Sequence, residues 1–384
     1  MKTQKTQRTK RGDRIVAEIG LTFDDLLLLP GRASVPREQV DLTTVLHPRI
    51  RLTLPVIASP MDTVTEEVMA IALAAHGGFG VIHRNLQVAV QAGMVKAVKN
   101  AAVPDGASKD AKGRLLVGAA VGAGGDLEER VAALVKAGAD LLVVDSGHGH
   151  SDFILDALRW IRAHYGKEVA LMAGNVATFE GARDTIAAGA DILRVGMGPG
   201  SICTTRVVTG MGVPQMTALF AAARAVQGTK ATFIADGGVR QMGDMAKALG
   251  TGASAVMLGS MLGGYSEAPG KVVELQGKQW KQYRGMGSIG AMQKGGAERY
   301  GQKAATPREN LIAEGVEGLI PYKGHVEGFL TQAAGSLRSA FYYVGAGNLP
   351  QFHERARFIR ITPASMAESH PHTVRVTDAG ESYL

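Results

Sequence analysis

One cysteine in 384 residues is the sharpest scarcity in this chain. Cys203 has no intramolecular partner, so a disulfide framework is excluded and a reducing compartment, the cytoplasm, is expected. Aromatic residues make up only 5%, with two tryptophans. That composition offers little for stacking on nucleic-acid bases. No apolar run approaches the ~20 residues that span a bilayer. Residues 1–14 are polar and basic (Lys2, Lys5, Arg8, Lys10, Arg11) and carry no apolar segment of a secretory signal; they read as a solvated arm. Acidic residues are outnumbered, 35 against 42 basic, for a formal charge of +7. Such a charge suits an anionic ligand. A basic nucleic-acid-binding protein would share it, but no binding motif accompanies the charge here.

Glycine, by contrast, is abundant at 50 residues. The glycines fall between short apolar runs at 54–59, 78–83, 115–121, 141–145, 169–174, 192–196, 232–236 and 255–259. Each run is too short for a helix and reads as a parallel strand buried on both faces. Amphipathic helical stretches separate them at 67–75, 127–137, 153–164, 179–188, 218–226 and 241–249. Three of these end in one repeated turn: Ala-Gly-Ala-Asp at 137–140 and 188–191, and Thr-Gly-Ala-Ser at 251–254. Glycine there caps a helix in the left-handed conformation. Eight strand–helix repeats predict an α/β fold of the (β/α)8 TIM-barrel type, with a doubly wound open sheet as the alternative. The expected organisation is one catalytic domain over 15–384. It holds a short polar connector at 100–113, a glycine-rich flap after the eighth strand at 264–324, a helix from 326 and a polar C-terminal segment at 350–384. A long loop of the flap's kind reads as a lid or as disordered.

In a barrel the chemistry sits at the C-terminal strand ends. Ser59, Met61, Asp62, His83, Asn85, Asp145, Ser146, His148, Asn175, Gly196, Asp236, Gly237, Gly238, Gly259 and Ser260 all fall there. Gly237-Gly238 and Gly259-Ser260 follow strands seven and eight, where barrels often cradle a phosphate on main-chain N–H groups. Ordinary tight turns are the alternative. His148-Gly149-His150 has no matching carboxylate or second cluster, so a transition-metal site is not expected. Cys203 lies among Gly198, Gly200, Gly210 and Gly212, a setting for a nucleophile whose backbone passes close to a ligand. A small apolar filler is the other reading, and the residue count alone leaves both open.

The Cys203 loop, the two phosphate turns and the flap together resemble the inosine-5′-monophosphate (IMP) dehydrogenases. The matching stretches include Ser59-Pro60-Met61-Asp62, Asp145-Ser146-Gly147-His148-Gly149-His150, Gly174-Asn175-Val176, 198–206, 234–240, 283–290, Arg299-Tyr300, 314–318, 321–324 and Glu368-Ser369-His370. Their order and spacing agree from about residue 20 to the end. The resemblance implies oxidation of IMP by NAD to xanthosine monophosphate in guanine nucleotide biosynthesis. Cys203 would form a covalent thioimidate, and Arg299 would be the hydrolytic base with Tyr300 beside it. Thr205 would hold the water and border the cofactor. The implied substrate contacts are Ser59, Met61, Ser201, Asp236, Gly237, Gly238, Gly259, Ser260, Tyr283, Gly285, Met286, Gly287 and Glu314. The implied cofactor side is Asp145, Ser146, Asn175, Arg194 and Gly196, a structural ion pair being the other reading of Arg194. A K⁺ site is implied at Gly198, Gly200 and Cys203, completed by Glu368, Ser369 and His370 of a neighbouring subunit. That makes a homo-oligomer, a tetramer, the expected state, with no membrane partner. In one respect the chain departs from the pattern: relatives usually insert two cystathionine-β-synthase-type regulatory domains where it has only 100–113. GMP reductase, which uses NADPH, and an inactive paralogue are the rival readings. The flap sequence at 283–288, the Arg299-Tyr300 pair and the 145–151 stretch speak against the reductase, and an intact Cys203 with the Arg299-Tyr300 pair speaks against the paralogue.

Overall fold

The computed structural model describes residues 15–380, apart from Ala17, Ala304, Ala305 and Ala379. The basic arm at 1–14 lies outside the described residues. Eight parallel strands close into a barrel: Val56–Ala58, Phe79–Ile82, Gly118–Val121, Leu141–Asp145, Ala170–Val176, Ile192–Val195, Thr232–Asp236 and Ala255–Leu258. The eighth pairs back onto the first through Val56↔Val256 and Ala58↔Leu258. Closure rules out the open doubly wound sheet. All eight strands fall within the apolar runs of the sequence or extend them by two residues. These residues form strands because both faces are covered. Ile57, Phe79, Val81, Leu141, Val143, Met172, Ile234 and Met257 fill the barrel interior, and alternate residues pack under the helices.

The three repeated turns behave alike. Gly138, Gly189 and Gly252 have φ of +94°, +113° and +104°, the left-handed region that glycine enters without a Cβ clash. Each turn drops the chain straight into the next strand. At the N-terminal end a hairpin, Thr44–His47 with Ile50–Leu52, plugs the barrel with Leu46, Ile50 and Leu52. Thr232 Oγ1 donates to the Leu46 carbonyl at 2.7 Å and holds the plug in place.

The connector is held by a buried cation. Lys99, 4% exposed at the end of the helix Val88–Asn100, donates to Asp140 at 2.5 Å, Asp110 at 3.1 Å and the Leu115 carbonyl at 2.9 Å. Asp140 also accepts from the Val117 N–H at 2.8 Å, just before the third strand.

The flap departs from a featureless loop. Val272–Leu275, Lys278–Arg284 and Glu317–Pro321 make a three-stranded antiparallel sheet. Ile289–Gln293 and the 3-10 turns Gly296–Tyr300 and Arg308–Asn310 lie between its second and third strands. Two of these strands are largely exposed, so they lack the apolar alternation that marks a strand in sequence. Two positions on the middle strand are buried, Lys281 and Tyr283, and the Lys281 ammonium donates to the Tyr265 carbonyl at 2.9 Å and to Ala268. The C-terminal segment adds Leu349–Arg355, then Phe358–Arg360 paired antiparallel with Leu26–Leu28, and the helix Pro363–Glu368.

Candidate active site

Two adjoining cavities open at the C-terminal end of the barrel. The smaller, about 180 Å³, is lined by Ser59, Met61, Ser201, Cys203, Asp236, Gly237, Gly238, Gly259, Ser260, Tyr283, Gly285, Met286 and Glu314. Asn175, Arg194, Gly196, Gly198 and Gly200 also border it. The larger, about 830 Å³, is lined by Asp145, Ser146, His148, Phe153, Met211, Arg84 and Glu298, among others. Gly147, Thr205, Arg299, Tyr300 and Glu314 border both. Asn175, Arg194 and Gly196, expected on the cofactor side, thus face the smaller cavity. Gly287 lines neither, but its carbonyl accepts the Glu314 N–H at 3.0 Å. Glu368, Ser369 and His370 line neither cavity; Glu368 and Ser369 are exposed at the end of the C-terminal helix.

Cys203 is half-buried on the loop after strand six, with Sγ 3.2 Å from Thr205 Oγ1. Main-chain bonds fix the loop: Cys203 N–H to the Gly200 carbonyl at 3.1 Å, Thr204 N–H to Glu314 at 3.0 Å and Val316 N–H to Ile202 at 3.0 Å. The stretch 314–316 therefore ties the cysteine loop to the flap. Glycine is required where the loop leaves the strand: Gly196 has φ +148°, and a Cβ there would stand 2.1 Å from the Asp236 carbonyl. The turn after strand seven needs glycine twice, with Gly237 and Gly238 at φ +86° and +79°. The Tyr283 hydroxyl lies 4.0 Å from Met61 Sδ, and burial pushes its pKa up, so it stays a neutral donor.

The flap turn carrying Arg299 and Tyr300 sits between the cavities. The Gly147 N–H donates to the Arg299 carbonyl at 2.9 Å. The Tyr300 ring lies between Gly147 and Gly287; a Cβ on Gly287 would stand 2.7 Å from Tyr300 Cζ. Arg299 Nη1 pairs with Asp145 Oδ2. Burial lowers the Arg299 pKa, Tyr300 opposes that, and the neighbouring Arg84 charge adds to it. Arg299 Nε is buried without a partner among the described residues. A bidentate pair, Arg284 Nε to Asp62 Oδ1 at 3.1 Å and Nη2 to Oδ2 at 2.5 Å, clamps the flap to the first strand end. Asn85 steadies Asp62 at 2.8 Å.

Sequence reasoning passed over Arg84, Glu298, Arg284 and Gln215. Arg84 could have been found, since it directly follows the second strand at His83. Gln215 could not: nothing in the sequence marks its amide, which bridges the Val195 carbonyl at 3.0 Å and the Asp236 carbonyl at 3.1 Å across two strand ends.

Comparison with known proteins agrees with this geometry. Residues 20–372 match the domain family described as IMP dehydrogenase / GMP reductase. The chain belongs to that family. Inosine-5′-monophosphate dehydrogenase of Aquifex aeolicus is 39% identical, aligned over 95% of this chain and 97% of its own length. The Rhizobium tropici enzyme of the same name is 39% identical over 93% and 95%, and that of Streptococcus pyogenes 37% identical over 95% and 97%. The Aquifex alignment runs over 481 positions, more than the 384 residues of this chain, so this family member lacks residues that its relative carries. Among the described residues, no helix is long and apolar enough to cross a membrane.

Proposed function

We propose that this family member is an IMP dehydrogenase. It oxidises C2 of the IMP base with NAD⁺ and then hydrolyses the product to xanthosine 5′-monophosphate. The observation that carries the reading is Cys203 lining the smaller cavity together with Arg299 and Tyr300, which also border the larger one. The smaller cavity takes the nucleotide. Gly238, Gly259, Ser260, Ser201 and Tyr283 hold its phosphate. Asp236 accepts from the ribose hydroxyls, and Met286, Gly287 and Glu314 meet the base edge.

The larger cavity is in the size range of cofactor sites. Its rim holds Ser146 Oγ, buried without a partner among the described residues, which a polar ligand would satisfy. NAD⁺ bound there supplies a hydride acceptor. The chain does the rest. Cys203 Sγ adds to C2, so that C2 can release hydride and leave a thioimidate, splitting one hard step in two. Arg299 takes a proton from water held by Thr205, that water attacks C2, and the C2–Sγ bond breaks to return the thiol. A guanidinium is a poor base unless its neutral form is favoured. Deep burial and the neighbouring Arg84 charge both shift Arg299 in that direction.

The K⁺ assignment rests on donor chemistry. Hard cations take oxygen ligands, and the main chain of 198–203 curls through a left-handed Gly198. Glu368, Ser369 and His370 would reach it from a second subunit, in a tetramer.

The test is NADH absorbance with IMP and NAD⁺, beside GMP with NADPH. NADH formation supports the dehydrogenase. NADPH consumption with GMP alone transfers the assignment to the reductase.

A further inference from the structure

Arg194, on strand six, is 3% exposed, and all three guanidinium nitrogens are committed within the protein. Nε donates to Asp236 Oδ2 at 2.7 Å, Nη1 to Asp145 Oδ1, and Nη2 to Ser59 Oγ at 3.3 Å. Both carboxylates have a further partner. Asn175 Nδ2 donates to Asp236 Oδ2 at 2.7 Å, and Arg299 Nη1 to Asp145 Oδ2. The charges therefore alternate without a gap: Asp236, Arg194, Asp145, Arg299. One end borders the nucleotide cavity and the other is the flap.

We propose that Arg194 is a positioning residue that couples ribose recognition at Asp236 to docking of the flap at Asp145. The proposal rests on the reading of the smaller cavity as the nucleotide site. It also moves Arg194 from contact with the cofactor to a strut between two carboxylates. Removing a cation from a buried alternating set leaves two carboxylates facing each other and is strongly unfavourable. Lysine restores the charge but cannot fork across both acceptors, whereas the planar guanidinium can. The strut has a second effect. While Arg194 neutralises Asp145, the carboxylate holds the Arg299 proton less firmly. Arg299 is faced by Asp145, Tyr300 and Arg84, and Tyr300 in turn by Cys203 and Glu314. Without the Arg194 charge, Asp145 acts on Arg299 alone and favours its protonated form.

The test compares wild type, Arg194→Lys and Arg194→Gln. It measures IMP affinity by calorimetry, the NADH burst, steady-state turnover against pH, and the KM for NAD⁺. In Arg194→Gln the rising limb of turnover should move to higher pH by about one unit, the size of a single neighbouring charge. Arg194→Lys should keep that limb in place. Both should weaken IMP binding at least ~10-fold, the loss of one charge-assisted contact. An increase confined to the KM for NAD⁺, with IMP affinity and limb unchanged, would overturn the strut. Wild type with 2′-deoxy-IMP covers the case of variants that do not fold. Loss of one ribose hydroxyl should slow the hydrolysis step as well as weaken binding, and weakened binding with unchanged hydrolysis overturns the coupling. If wild type forms no NADH from IMP, the dehydrogenase reading fails. The strut is then judged on nucleotide affinity alone: Arg194→Lys binding IMP as tightly as wild type would sink it.

Discussion

Cys203 and Arg299 divide the proposed chemistry between them, and single substitutions should separate their shares. Cys203→Ala should abolish NADH formation and leave IMP affinity nearly unchanged, because the phosphate and ribose contacts lie on other strand ends. Turnover above a small fraction of wild type would rule out the covalent route. Arg299→Ala should keep the first step and lose the second. A positioned base contributes ~10²–10⁴ in rate, so rapid mixing should show a burst of NADH near one per site followed by very slow turnover. Mass spectrometry of the quenched enzyme should find the nucleotide attached to Cys203. Loss of the burst together with turnover would assign Arg299 to hydride transfer or folding. Cys203 was legible in sequence as a lone thiol among glycines. The state of Arg299 was not, because its lowered pKa depends on burial and on Arg84, more than 200 positions away in the chain.

At the scale of elements, a buried cation braces the barrel. Lys99 joins a helix end, the connector and the third strand. Lys99→Met should destabilise the fold by ~3–5 kcal/mol, since Asp140 would be left largely buried without its cation. Thermal melting checks this, and a melting point within a degree of wild type would show that the connector does not need the clamp. The same cluster carries a pH signature. Burial alone would raise the Asp110 pKa, but hydrogen bonds from Arg114 and Lys99 and the Lys99 charge bring it down to about 2. A carboxylate depressed on folding stabilises above its unfolded pKa of about 3.9, and that contribution drains as the pH falls toward 2. Asp110→Asn should therefore melt lower than wild type at pH 6, with the gap narrowing by pH 3. A gap that stays constant would remove the linkage. The flap shows where periodicity runs out. Its outer strands are exposed, and the middle strand buries only Lys281 and Tyr283, a lysine standing where an apolar residue would mark the covered face, so no apolar alternation advertises the sheet.

For the whole molecule, activity should require a monovalent cation, with K⁺ better than Na⁺, and should track the tetramer. Equal rates in K⁺-free and K⁺-containing buffer, or full activity in a monomer by sedimentation, would remove the shared site. ATP and GTP should leave rate and assembly unchanged, because 100–113 is too short to form a domain; a cooperative shift on titration would reveal a regulatory site elsewhere.

By itself the sequence determined the barrel. Short apolar runs buried on both faces and glycines forced left-handed at helix ends are local signals, written wherever a strand or turn occurs. It also determined the rim residues, because the C-terminal end of a strand is known once the strand is known. Only the tertiary structure decided the partnerships across that rim. Arg194 between Asp145 and Asp236, Arg284 on Asp62, Gln215 across two strand ends and Tyr300 between two glycines all join residues remote in sequence. Such contacts depend on where closure of the barrel brings side chains in space, and no periodicity along the chain encodes that.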